Sequence, residues 1–479
     1  MIAENYPNSN LISESSKRSE ENVDISVNIE RASQTAKKYF SIISEFLACG
    51  NQNSSEINSF LNIIYNSLTE YDVPFHGAEF FDILFKLWRI FSKSDLKVCL
   101  SIVQIIEYMV NKTIEASYEL IKCNFHQTFF EFLQFNENKA LQSQIIYLFS
   151  NIIQNDDIEL LKFCVQNGFI EIFLKEKDKI LNDPSIDFID GFSSILFPIF
   201  SSVIRFLVYP EIFDSQNDFF TIFQISTDIL KQRNEQHFFD VHVKDIISSI
   251  ILSLGKFDLS LLLESGFYKE IILIINDDFS HHISDAYLFL GKLFFHLSIN
   301  VDPSVFYPSP FMIDVISKCS HIMTCDVKDL DYLESFFFFL TNFINLNPDI
   351  VSQLYQHRFY QWCALVTPSI SYHGQKSFCY FFCSSLFYAN LEILIGLLSD
   401  QNIVHTFIGF LQYAKRKLIR QAMESVLRVF SIAPDFCHQA PIFSELLLNF
   451  IENDFDSQDE ELLEIIDEIR LFLEESGKK

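Results

Sequence analysis

Asn124-Phe125-His126-Gln127-Thr128-Phe129-Phe130 and Gly168-Phe169-Ile170-Glu171-Ile172-Phe173-Leu174 have the same form: an aromatic anchor followed by a short apolar stripe. The two anchors are 44 residues apart (169 − 125), and Phe81, in Phe80-Phe81-Asp82-Ile83-Leu84, stands another 44 before Phe125. The form returns at Phe267, Phe311, Phe359 and Ile403, at intervals of 44, 48 and 44 residues. Between Phe169 and Phe267 lie 98 residues, room for two repeats with a middle anchor near Phe219. A period of about 40–47 residues containing only helices is the mark of a stacked helical array.

The text between the anchors is helical throughout. Ala36–Leu47, Ile57–Leu68 and Phe80–Phe91 carry apolar residues at helical spacing, and alternation of period two is never sustained. Short breaks close helices of ordinary length at Tyr71-Asp72-Val73-Pro74, Asn182-Asp183-Pro184, Asp302-Pro303, Asn347-Pro348 and Ala433-Pro434. Asn167-Gly168 reads as a helix end with Gly in the left-handed conformation. The run Phe336-Phe337-Phe338-Phe339 needs a helix covered on several sides, although a bias replacing Leu by Phe would also raise the total to 54 Phe.

Ala140-Leu141-Gln142-Ser143-Gln144-Ile145-Ile146-Tyr147-Leu148-Phe149-Ser150-Asn151 resembles the third helix of an armadillo repeat. In that family an aromatic residue followed four positions later by Asn faces a groove, and Tyr147 with Asn151, then Phe338 with Asn342, repeat the spacing. Lys292 and Ser431 align with the Asn position in other repeats, and Ile158–Leu174 and Leu261–Leu273 resemble opening helices with the turn glycines Gly168 and Gly266. The resemblance to the armadillo/HEAT superfamily spans roughly 60–450. It implies a right-handed α-solenoid of about nine repeats. Partner-binding groove residues would then be Tyr147, Asn151, Lys292, Phe338 and Asn342.

Residues 1–28 are polar and lack an apolar period, which predicts a disordered arm before a repeat array at 29–453. Residues 454–479 read as an acidic capping helix and tail: Leu462, Leu463, Ile466, Ile469 and Leu473 form a stripe opposite a strongly acidic face. The alternative is an acidic docking helix for a basic partner.

Charge and motifs bound the function. The net charge of −28 repels phosphate backbones, which argues against nucleic acid and makes basic peptides or basic domains the natural charged partners. Lys415-Arg416-Lys417 and Arg420 form the one concentrated basic patch, read as pairing with acidic helices of the same chain or with an acidic partner. The ten cysteines are scattered in apolar helical text, as reduced thiols are. The start at Met1–Pro7 has no signal-peptide pattern and no apolar run reaches a membrane span, so no membrane role is expected and a cytoplasmic or nuclear location is.

Cys319, His321 and Cys325 lack the second ligand pair that a zinc site needs, so no metal is expected. His281-His282 reads as solvated. No phosphate loop or nucleophile elbow occurs, so neither a cofactor nor an enzyme is indicated. The expectation is a protein-interaction scaffold or adaptor; a regulatory subunit of an enzyme complex of phosphatase type and a transport adaptor of the importin-α kind are the alternatives. Oligomeric state is open.

Overall fold

A computed structural model describes residues 10–50, 52–73, 77–135, 138–181, 195–233, 237–277, 281–300, 314–325, 331–433, 436–455 and 459–476. The anchor Phe311 and the breaks at 182–184 and 302–303 lie outside these residues, as do Pro74, Pro434 and 1–9. Among the described residues every regular element is helical. The chain divides into two compact units, Met1–Ile222 and Phe223–Lys479.

Unit 1 holds α1 (Asn10–Ala48), α2 (Ser54–Glu70), α3 (Ala78–Phe91), α4 (Leu96–Lys112), α5 (Ile114–Lys122), α6 (Phe125–Phe135), α7 (Lys139–Ile153), α8 (Ile158–Gln166), α9 (Phe169–Leu181) and α10 (Phe197–Leu207). The boundary falls inside α11 (Gln216–Gln232). Unit 2 continues with α12 (His237–Ser253), α13 (Ser260–Glu264), α14 (Phe267–Asn276), α15 (Ile283–Asn300), α16 (Val315–Ile322), α17 (Leu333–Leu346), α18 (Ile350–Gln356), α19 (Phe359–Val366) and α20 (Tyr372–Tyr388). It ends with α21 (Leu391–Ser399), α22 (Gln401–Leu411), α23 (Arg416–Ile432), α24 (Phe436–Gln439), α25 (Pro441–Asn449) and α26 (Glu460–Ser476).

The expected arm at 1–28 is helical from Asn10 onward. From Pro7 to Gly50 the sequence has no glycine or proline to interrupt a helix, so a polar stretch can continue the apolar one.

The order is a three-helix repeat: a short helix, a second helix that opens on the anchor, and a longer third helix. In unit 1 the third helices α2, α4, α7 and α10 pack one on the next, and in unit 2 α12, α15, α17, α20, α23 and α26 do the same. Each repeat buries its stripe against its neighbours, the arrangement of an all-α solenoid. Phe81, Phe125, Phe169, Phe219, Phe267, Phe359 and Ile403 are all buried, and the series goes on to Phe443 in α25.

Local chemistry sets the breaks. Asp95, Asn138, Asp157, Ser371, Asn390 and Asp400 cap α4, α7, α8, α20, α21 and α22, each side chain accepting from backbone N–H groups of the first turn. The turn before the anchor is more uniform than the glycines suggest. Asn124, Gly168, Gly266 and Arg358 immediately precede Phe125, Phe169, Phe267 and Phe359, and all four are left-handed, with φ of 57°, 82°, 77° and 57°.

Aromatic rings fill the interior. Trp88 packs edge-on against Phe129 and Phe132, with centroids 4.7 and 5.3 Å away, joining α3 to α6. In unit 2, α17 lies between α15 and α20, which answers the four-Phe run: Phe336, Phe337 and Phe339 are buried and only Phe338 reaches a surface. Trp362 stacks on Phe359 at 5.5 Å.

Two polar joints escaped the sequence reading. Arg233, just past α11, and Glu270 in α14 form a buried ion pair at 3.0 Å. His282, expected as solvated, is half-buried between Asp240 of α12 (2.9 Å) and Asp285 of α15 (3.6 Å). The hydrogen bond with Asp285, then the Asp240 charge, outweigh burial and raise its pKa.

The terminal helix α26 packs on α23 and buries Leu462, Ile466, Ile469 and Leu473. Leu463, assigned above to the same stripe, is exposed, because it sits one position off the buried arc.

Candidate functional site

A groove of about 940 Å³ runs across four consecutive third helices of unit 2: α15, α17, α20 and α23. Phe295 and Phe387 line it from α15 and α20 and are half-exposed, at 50% and 44%. Phe338 of α17 and Tyr380 of α20 line it as well. Phe295, Phe338 and Tyr380 are 43 and 42 residues apart (338 − 295, 380 − 338), so the array's own period places aromatic side chains in line.

Close helix approach sets the floor. A Cβ at Gly291 would meet Phe338 Cδ1 at 2.5 Å, so glycine there lets the ring lie against α15. Asn342 is buried and donates through Nδ2 to the Phe338 carbonyl oxygen at 2.8 Å, one turn back in its own helix. Burial raises the Tyr380 phenol.

Cations lie against three of the rings that line the groove. The Arg428 guanidinium lies 3.7 Å from the Phe387 ring centroid, Lys292 5.3 Å from that of Phe338, and Lys376 5.9 Å from that of Tyr380. Arg420 pairs with Glu424 at 3.0 Å and with Glu461 of α26 at 2.6 Å. Part of the basic cluster is therefore neutralised within the chain. Lys417, also in the groove, makes no ion pair among the described residues.

The five residues named from sequence are divided between the two units. Phe338 and Asn342 line the unit 2 groove, and exposed Lys292 sits beside Phe338, while Phe295 and Ser298 supply the α15 wall. Tyr147 and Asn151 belong to unit 1. Tyr147 is exposed at 41%. Asn151 Nδ2 donates to Glu107 Oε1 at 3.2 Å, and Gln144 donates to the other oxygen of the same carboxylate, so both amides tie α7 to α4. Burial raises the Glu107 pKa against these two bonds. Ser431 donates to the Leu427 carbonyl oxygen of its own helix. Lys417 belongs to the basic patch read from sequence, whereas Phe295, Phe387 and Lys376 were missed; superposing the sequence at its own period would have aligned the first aromatic with Phe338.

Among the described residues no group of three or more His, Cys, Asp or Glu could hold a metal ion. Cys319 is buried, and Cys325 Sγ lies 3.7 Å from His321 Nε2. Among the described residues no single helix is long and apolar enough to cross a membrane; α21 and α22 reach that length together but are bent by 78°.

No protein-family profile and no curated protein matches this chain. Solved structures resemble it. The crystal structure of an engineered protein from the Northeast Structural Genomics Consortium is 12% identical, with 93% of this chain and 99% of that one covered and a TM-score of 0.56. At that identity the likeness speaks for the fold alone. A structure from work on a phosphorylation switch controlling the interaction between cadherin and beta-catenin is 10% identical, with 89% and 98% covered and a TM-score of 0.39. The crystal structure of She4p is 14% identical, with 91% and 72% covered and a TM-score of 0.27. Neither of these two bears on the argument.

Proposed function

We propose that this chain is a protein-interaction scaffold of armadillo type whose unit 2 groove holds an extended segment of a partner protein. The observation that carries the reading is the groove itself, where half-exposed Phe295 and Phe387 stand among polar side chains on four helices. Side chains of this kind suit a guest: an amide such as Asn345 can both donate to and accept from an extended backbone, and the exposed rings take apolar anchors. The importin-α-like alternative loses support, because Trp88 and Trp362 both pack on neighbouring rings and the groove wall carries cations. No observation favours the regulatory-subunit reading over a plain scaffold.

The test uses the full chain with a photo-crosslinking phenylalanine analogue at Phe295 and, separately, at Tyr413, which is exposed at 76% and lies off the groove. The expected result is one partner protein joined at position 295 and absent at 413. Capture of that partner at 413 alone would remove the groove from its role.

A further inference from the structure

The charge of the groove opposes the charge of the chain. The four helices that build it carry Lys292, Lys376, Arg416, Lys417, Arg420 and Arg428 against Asp285, Glu334 and Glu424, a balance of 6 − 3 = +3. The rest of the chain therefore carries −28 − 3 = −31. Surface cations in so acidic a protein would be expected to find carboxylates, and Arg420 does. Lys376 and Lys417 have none within ion-pair distance among the described residues, and Arg428 and Lys292 face rings instead.

We infer that the occupant of this groove is an acidic peptide segment with apolar anchors, held at its carboxylates by Lys376 and Lys417 and at its anchors by Phe295 and Phe387. The inference rests on the scaffold reading above and specifies its partner's chemistry. It reverses the basic partner that net charge alone suggests, because an interaction responds to the local field and not to the total.

The chain's own contact supports it: Glu461 of α26 already seats a carboxylate on Arg420 at the groove's end. Two exposed phenylalanines favour a peptide over a simple polyanion. A nucleic acid would in addition meet the repulsion of the remaining −31. Helices packed about 8–10 Å apart give four of them a span of about 30 Å. An extended chain rising about 3.4 Å per residue covers that with about nine residues.

The experiment is selection of a random peptide library on the immobilised full chain, with titration calorimetry of the enriched peptides. Enrichment of peptides with Asp or Glu flanking an aromatic or leucine is expected. In the double variant Lys376→Glu/Lys417→Glu, affinity should fall about tenfold or more, weakening with added salt in the parent. Its melting temperature should be unchanged, since Lys417 is exposed and Lys376 pairs with no carboxylate. Enrichment of neutral or basic peptides, or acidic ones indifferent to the double variant, would overturn the inference and leave the scaffold reading standing. No enrichment at all would remove both. A single-stranded oligonucleotide of matching length binding as tightly, with the same lysine dependence, would replace the peptide by a general anion and overturn the proposal.

Discussion

Arg233 and Glu270 meet at 3.0 Å with both side chains buried, and the same Nη1 of Arg233 donates to the Leu230 carbonyl oxygen at 2.6 Å. Removing one member strands a charge out of water. Glu270→Leu alone should cost unit 2 about 3–5 kcal/mol in denaturant unfolding, whereas Arg233→Met/Glu270→Leu should recover most of that loss. A double variant whose loss equals the sum of the losses of Arg233→Met and Glu270→Leu alone would show that the pair is not coupled.

The left-handed position before each anchor predicts opposite effects at two sites. Arg358 holds φ of 57°, a conformation costing a side chain about 1–2 kcal/mol, so Arg358→Gly should raise the melting temperature. Gly266→Val should lower it, because φ of 77° admits a β-branched residue poorly. Asn124→Gly should change little, since Asn tolerates this region. Thermal melts of the three variants side by side decide the matter.

Acid should loosen both units. Burial lowers His126 and His242 from 6.5 to about 4, so between those values the unfolded chain takes up protons that the folded chain refuses. Stability is present above pH 6.5 and lost as the pH falls towards 4, by roughly 3 kcal/mol per histidine. His282 runs the other way: its raised pKa contributes below pH 6.5 and is lost as the pH rises through the folded value. His126→Phe, beside Phe130 and Phe169, should flatten the pH dependence of the unit 1 transition. An unchanged slope would sink the assignment.

Asn151 predicts a stability defect. Asn151→Ala removes one of the two amides on the Glu107 carboxylate and should cost about 1–3 kcal/mol in unit 1. Tyr147→Ala, at an exposed position, should stay within about 0.5 kcal/mol. A melt unchanged by Asn151→Ala would return that residue to a binding role.

The anchors were legible because burying one large ring per repeat leaves a period in the text, and Phe125, Phe169 and Phe267 follow it. The turn before them was legible only where glycine reported it; Asn124 and Arg358 adopt the same φ without a compositional sign. Asn151 and Asn342 share one spacing after an aromatic residue yet differ in partner: Asn151 reaches Glu107 of α4, 44 residues upstream, while Asn342 donates to the Phe338 carbonyl oxygen of its own helix. The groove's charge was legible only in part, at Lys417 and Arg420, for a related reason. Lys376 and Lys417 are 41 residues apart (417 − 376) and join one surface only once the helices stack, while the total of −28 averages over every face.

The ring packing around Trp88 and Trp362 has an optical consequence. The chain holds 2 tryptophans, one in each compact unit. Trp88 is enclosed by phenylalanines and should emit in the blue, while half-buried Trp362 should emit further to the red. Indole emission is thus a built-in reporter for each half of the molecule without any attached label. With Trp88→Phe the remaining signal belongs to unit 2 alone, and with Trp362→Phe to unit 1.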